Sequence, residues 1–226
     1  MATSALSIPR SDSLEFLPGI ENIRSVRVPV WKRLIDVIGA SVGLVVLSPL
    51  LTVVAVAIML ESPGGAIFRQ ARVGKGGRIF TCWKFRSMVR GADKMLDGLI
   101  SQNEADGIIF KIKDDPRRTR IGKFVRRTSI DELPQLWNVL RGDMSLVGPR
   151  PPTVTEVLRY DERHLARLAA TPGLTGLWQV TLRRERHDFA DMVELDVRYA
   201  EEMSLWLDAK ILFKTIPTVL GGKGSY

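Results

Sequence analysis

The sequence predicts a mostly helical α+β chain whose N-terminal part enters a membrane, and three observations carry that prediction. Between Asp36 and Glu61 run 24 residues without a charge, "VIGASVGLVVLSPLLTVVAVAIML". After them, "AIFRQARVGKGGRIFTCWKFRSM" sets two part-alternating β-prone runs around Gly74, Gly76 and Gly77, the pattern of a β-hairpin. From Asp188 to Leu220 apolar residues recur at helical spacing, split near Ser204, which reads as two amphipathic helices.

About 20 apolar residues suffice for a helix to cross the hydrocarbon core. The uncharged run is too long and starts too far from the N-terminus for a cleavable signal peptide. Its midpoint is Ser48-Pro49. Proline lacks an N–H, clashes with the carbonyl four residues back, and biases the preceding residue away from helical geometry. A break between the two leaves 12 residues on either side, about 18 Å each as helix, against a core of about 30 Å. Two readings follow: a kinked spanning helix, or a re-entrant hairpin that returns to the side it entered. The backbone groups that proline frees need a partner, and the Ser48 hydroxyl is available. Charge favours the hairpin. Arg24, Arg27, Lys32 and Arg33 precede the run, and Arg69, Arg72, Lys75 and Arg78 follow it. Both flanks look cytoplasmic under the positive-inside rule.

Residues 1–30 mix Ser, Pro and isolated charges and read as disordered or loosely attached; 31–61 is the membrane helix; 62–226 forms one further domain. The glycines of the hairpin lack P-loop spacing and read as a turn. Residues 89–106 and 154–169 read as helices, and "TPGLTGLWQV" as a turn followed by a short strand.

Formal net charge is +8, which points to an anionic partner: nucleic acid, a phospholipid surface or a phosphorylated substrate. No aromatic-basic recognition motif interleaves the basic residues, so nucleic acid is set aside. The single cysteine, Cys82, excludes an intramolecular disulfide and suits a reducing compartment. His164 and His187 are too few and too far apart for a histidine metal cluster.

The densest chemistry lies in "DDPRRTRIGKFVRRTSIDELPQLWNVLRGDMSLVGPRPP". Arg117, Arg118, Arg120, Lys123, Arg126 and Arg127 precede Asp131-Glu132. Ser129 with Glu132 three residues on is a candidate capping box, and Leu133, Leu136, Trp137 and Leu140 continue at helical spacing. In the bland reading the two carboxylates only compensate a helix dipole. In the functional one, the dipole and the nearby cations keep Asp131 ionised for attack on phosphorus. Glu132 then offers oxygen to a hard cation such as Mg²⁺, and arginines neutralise a transferring phosphoryl group.

Taken together, "KRLIDVIGASVGLVVLSPLL", "CWKFRSM", the Asp-Glu stretch, "PGLTGLWQV" and "LDVRYAEEMSLWLDAKILFKTI" resemble the bacterial sugar transferases, or monotopic phosphoglycosyl transferases. The resemblance runs from Trp31 to the C-terminus, and length and ending look most like the short exopolysaccharide-initiating type, with no room for the multi-span N-terminal domain of longer relatives. It implies a re-entrant helix broken at Ser48-Pro49 and a cytosolic catalytic domain with interfacial helices around a small core. The implied location is the cytoplasmic face of the bacterial inner membrane. The implied reaction moves a sugar 1-phosphate from a UDP-sugar, a hexose such as galactose or glucose, to undecaprenyl phosphate. UMP is released, through a phosphosugar-aspartate on Asp131. By the same resemblance Glu132 is the Mg²⁺ ligand, and Lys84, Arg126 and Arg150 belong to the phosphate site. Arg183 and Asp196 are weaker carry-overs, and Asp196 and Asp208 either line the site or pin helices. Trp206, Lys210 and Lys214 fit an interfacial helix. A homodimer and downstream glycosyltransferases of the same pathway are the expected protein partners. The chain departs from the family where Thr181-Leu182 replace Ser-Gly before Arg183, which raises the question of a positive φ there. The competing function is a catalytically silent, membrane-anchored scaffold for polysaccharide assembly.

Overall fold

A computed structural model describes residues 16–17, 20, 23, 25–96, 98–99, 103, 112, 114–182 and 189–221. The first element, α1 (Val30–Glu61), is 32 residues long and holds Pro49 inside it. It is long and apolar enough to cross a membrane. An interior proline costs a helix about 3 kcal/mol, much of it from the orphaned carbonyl four residues back. Here that carbonyl is Val45 O, and the Ser48 hydroxyl donates to it at 2.8 Å. Helical conformation therefore runs through Ser48-Pro49, where the sequence predicted Ser48 to leave it.

One side of α1 is packed. Ala40 is fully buried beside Leu136 and Val139, and Val54 and Ile58 meet Phe85 and Val125. A Cβ on Gly39 would stand 2.6 Å from Leu146 Cδ1, so the absence of a side chain sets this close approach. The other side is bare: Val45, Val53 and Leu60 are 73%, 66% and 83% exposed.

Polar groups fasten both ends of α1 to the domain. Lys32 Nζ donates to Val147 O (2.9 Å), Tyr199 OH (3.0 Å) and Asp208 Oδ2 (2.6 Å). Asp36 Oδ1 accepts from Ser145 Oγ and Leu146 N. Arg33 donates to Val139 O and Leu140 O. At the far end Glu61 accepts from the N–H groups of Arg120 and Ile121, and Arg86 donates to Ser62 O and Pro63 O. Lys32 is thus a buried structural cation, where the sequence counted it among the charges flanking a membrane.

The hairpin forms as predicted. β1 (Ile67–Val73) pairs antiparallel with β2 (Ile79–Phe85), with Phe68 opposite Lys84, Gln70 opposite Cys82 and Arg72 opposite Phe80. The turn at Lys75–Gly77 needs positive φ at Gly76 and Gly77, which glycine adopts at little cost. Cys82 is fully buried in a core cluster with Phe80, Val139 and Met144. Within the described part of segment 1–30, Leu17 is buried with Val73, Val157 and Leu168, and Leu17 N donates to Gly77 O.

Beyond the hairpin the predicted helix 89–106 is represented by a 3-10 turn, Ala92–Met95; most of 97–113 lies outside the described residues. Next come α2 (Arg120–Arg127), a 3-10 turn (Ile130–Gln135), α3 (Leu136–Arg141) and β3 (Ser145–Val147). The helix predicted over 154–169 is broken into α4 (Val154–Val157) and α5 (Glu162–Leu165) plus a 3-10 turn, because Asp161 starts a new helix with its own capping box. The short strand precedes the tryptophan: β4 (Gly173–Thr175) pairs parallel with β3, and "LWQVT" is a helix, α6 (Leu177–Thr181). A Cβ on Gly173 would fall 2.0 Å from Gly148 N, so this pairing requires glycine. The two predicted C-terminal helices are α7 (Phe189–Glu202) and α8 (Leu205–Leu220), and Ser204 caps α8 by accepting from Leu207 N. α8 leaves Trp206 and Phe213 79% and 77% exposed, with Lys210 and Lys214 on the same open side.

Candidate active site

α2 ends at Thr128, and Ser129 adopts φ 57°, ψ 15° as N-cap of the next turn. It is the one non-glycine residue at positive φ among the described residues. A left-handed residue costs about 1–2 kcal/mol, and here it turns the chain so that the Ile130–Gln135 turn follows α2 directly. The predicted capping box is not made, since Ser129 makes no side-chain cap bond in this conformation. The helix that follows the turn, α3, docks on β2 through Asn138, fully buried: its Oδ1 accepts from Trp83 N (3.0 Å) and its Nδ2 donates to Thr81 O (2.7 Å). Asn138 thereby takes the place of a neighbouring strand on the β2 edge.

That docking sets Glu132 beside Lys84. Glu132 Oε1 accepts from Lys84 Nζ at 2.8 Å and from Arg150 Nη1 at 3.2 Å. Burial alone would raise the Glu132 pKa, but Lys84 and Arg150 outweigh it and hold the carboxyl well below the usual range. Asp131 is 7% exposed. Burial first, then the charge of Glu132, push it up to about 6 against the pull of Lys84, Arg126 and Arg150. The sequence predicted that dipole and cations would keep this group ionised at neutral pH; the cations do pull it down, while desolvation and the neighbouring anion lift it above the ordinary carboxylate value.

Arg150 sits in "GPRPP", which other arginines hold in place. Arg72 Nη1 donates to Pro151 O (2.8 Å), and Arg167 Nη2 reaches Arg150 O (3.4 Å). The resulting cleft is lined by Arg72, Cys82, Lys84, Glu132, Gln135, Arg150, Gly173 and Gln179 among others. Lys84, Glu132 and Arg150 are thus brought together, with Asp131 adjacent. Arg126 acts on Asp131 through its charge, with no ion pair between them among the described residues. Asp196 is not on the cleft. It is fully buried, its Oδ2 accepts from Arg167 Nη2 at 2.5 Å, and burial raises it to about 6 against the opposing pull of Arg167. Asp208, tied to Lys32 and Tyr199, likewise pins helices. Arg183 lies outside the described residues; Leu182 before it has φ −104°, so this position needs no glycine.

Sequence reasoning passed over Arg72, Gln135 and Gln179. Signals existed for two of them: Arg72 shares strand parity with the residue opposite Lys84, and Gln135 is four positions after Asp131. For Mg²⁺, no group of three or more His, Cys, Asp and Glu converges among the described residues. The donor set is the two adjacent carboxylates, Asp131 and Glu132. That fits a hard cation which keeps waters and completes its shell with substrate phosphate oxygens.

The profile of the family described as bacterial sugar transferase matches residues 27–222. The chain belongs to that family. It is similar to the galactosyl transferase CpsE of Streptococcus agalactiae, 48% identical over 196 residues covering 87% of this chain and 43% of that protein. It is 43% identical to the undecaprenyl-phosphate galactose phosphotransferase of Salmonella typhimurium over 86% of this chain and 41% of that one. The exopolysaccharide production protein ExoY of Rhizobium meliloti is 40% identical over 86% of this chain and 88% of its own length. The chain thus spans less than half the length of the first two.

Proposed function

We propose that the chain transfers a hexose 1-phosphate from a UDP-sugar to undecaprenyl phosphate, as the first membrane step of a surface glycan. The observation that carries this reading is the pairing of a buried, ionisable Asp131 with a Glu132 locked by Lys84 and Arg150 at a cation-lined cleft. A carboxylate oxygen of Asp131 bonds to the β-phosphorus, and the bond from that phosphorus to the bridging oxygen breaks. The bridging oxygen leaves with the electron pair as part of UMP. An oxygen of undecaprenyl phosphate then bonds to the same phosphorus, and the Asp131 oxygen departs as carboxylate. Lys84 and Arg150 hold Glu132 ionised and offer N–H groups to the diphosphate. Mg²⁺, held by Glu132 with Asp131 beside it, supplies neutralisation of the phosphate charge when bound.

In this reading α1 is a re-entrant element in the cytoplasmic leaflet of the inner membrane. Two features support it: both ends of α1 are fastened to the same domain, and its outer face is bare and apolar. The open side of α8, with Trp206 and Phe213 beside Lys210 and Lys214, lies in the interface. Names of relatives support a UDP-sugar and a lipid carrier, and they span galactose, glucose and N-acetylgalactosamine.

The test is UMP release by nanodisc-held protein with undecaprenyl phosphate, Mg²⁺ and UDP-galactose, UDP-glucose or UDP-N-acetylgalactosamine. Turnover with one donor, lost in Asp131→Asn, is expected. Silence with every donor would instead support the scaffold function.

A further inference from the structure

Two amides in the cleft wall are not used by the chemistry above. Gln135 is 3% exposed, and its Nε2 has no hydrogen-bond partner. Gln179 Oε1, on α6, is likewise buried and without a partner. Both side chains line the cleft that holds Lys84, Glu132 and Arg150. Buried amide groups are nearly always satisfied, and an isosteric apolar side chain would remove the desolvation cost of an orphan. One orphan is a donor and the other an acceptor. A phosphate oxygen only accepts, so it satisfies one of them; a hydroxyl both donates and accepts, and satisfies either.

The position selects the ligand. Gln135 follows Glu132 by three residues in the 3-10 turn, where side chains three apart eclipse, so it shares the Glu132 face of the turn, and Asp131 directly precedes Glu132. In a UDP-sugar the hexose oxygen is bonded directly to the phosphorus that Asp131 attacks, whereas uracil lies beyond the α-phosphate and the ribose. Resting on the reaction proposed above, we infer that Gln135 and Gln179 form the hexose subsite. They hydrogen-bond sugar hydroxyls on the side of the cleft away from the nucleotide.

The experiment is calorimetric titration of nanodisc-held wild type, Gln135→Met and Gln179→Met with UDP-galactose, UDP-glucose and UMP, and with singly deoxygenated UDP-hexoses. Each variant is expected to bind the preferred UDP-hexose about tenfold more weakly, as for the loss of one hydrogen bond, with UMP affinity unchanged and melting temperature not lowered. One deoxy analogue is expected to bind the wild type about tenfold more weakly than its parent, and a variant equally. Equal loss of UMP and UDP-hexose affinity would assign the amides to the nucleotide part and overturn the inference. Unchanged UDP-hexose binding in both variants would overturn it too, while leaving the reaction class intact. A wild type that binds none of these nucleotides overturns the reaction and the subsite together. The two glutamines stand on different helices, so one variant that fails to fold leaves the other as the test.

Discussion

Lys84 and Glu132, 48 residues apart in sequence, meet at 2.8 Å across the junction of a strand and a 3-10 turn. The pair joins the hairpin to the turn that carries Asp131, so geometry at the carboxylates depends on a residue in another element.

Removing that cation leaves Glu132 with Arg150 alone. A hydrogen bond to a charged group contributes about 1.5–3 kcal/mol, or roughly ten- to a hundredfold in rate. Lys84→Met should therefore slow UMP release by about that factor, and Lys84→Arg should recover part of it. Unchanged turnover in Lys84→Met would remove the pair from the reaction.

Asp131 titrates near 6. In the proposed reaction the attacking form is the carboxylate, so the rate should fall as pH drops through about 6, and the limb should move higher in Lys84→Met because Lys84 lowers this pKa. A pH–rate profile between 5 and 8 reads both; an acid limb near 4 would exclude a buried Asp131 as the titrating group.

The same shift has a sign for stability. The folded pKa exceeds the unfolded value of 3.8, so the folded state binds the proton more tightly. Stability from this group is highest below about 4 and declines as pH rises through 6. At pH 7 the charged carboxylate strains the fold. Asp131→Asn should abolish UMP release yet raise the melting temperature in metal-free buffer by a few degrees, at about 2–4 °C per kcal/mol for a chain of this size. A lower melting temperature would contradict the burial argument.

Asp196 should behave as a structural residue. Breaking a buried ion pair costs about 3–5 kcal/mol because the partner charge is stranded. Asp196→Ala strands Arg167, which also reaches Arg150 O and Tyr160 OH. Calorimetry should show a melting temperature lower by roughly 10 °C, with little change in KM for the UDP-sugar in protein that remains folded. A raised KM at unchanged stability would return Asp196 to the substrate site.

Lys32 and Asp208 offer a cleaner cycle. Lys32→Met alone leaves the Asp208 charge buried without its cation, with only Tyr199 OH donating to it, and should destabilise by about 3–5 kcal/mol. Lys32→Met with Asp208→Leu removes both charges and should recover much of the loss. Denaturant unfolding of the wild type, Lys32→Met, Asp208→Leu and the double variant measures this; strict additivity would show that the pair carries no coupling.

Local patterns made the large elements legible. Hydropathy marks α1, turn glycines mark the β1–β2 hairpin, and the Ser204 cap marks the boundary between α7 and α8. The Asp131-Glu132 pair and its cations were readable as chemistry. What was not readable depends on contacts between distant segments. The parallel β3–β4 pair joins residues 145–147 to 173–175 with no local signature. Lys32 looks like a flanking charge until Tyr199 and Asp208 surround it. The cations near Asp131 were readable in the sequence, whereas the burial that raises its pKa is a property of the packed cleft.

Cys82 is the single thiol of the chain and has no exposed surface. Burial also pushes its pKa up, so the reactive thiolate is scarce as well as hidden. A thiol-labelling reagent can reach it only when the hairpin parts from α3. The rate of labelling therefore reports how often this wall of the cleft opens, in the intact membrane-held protein and without an introduced cysteine.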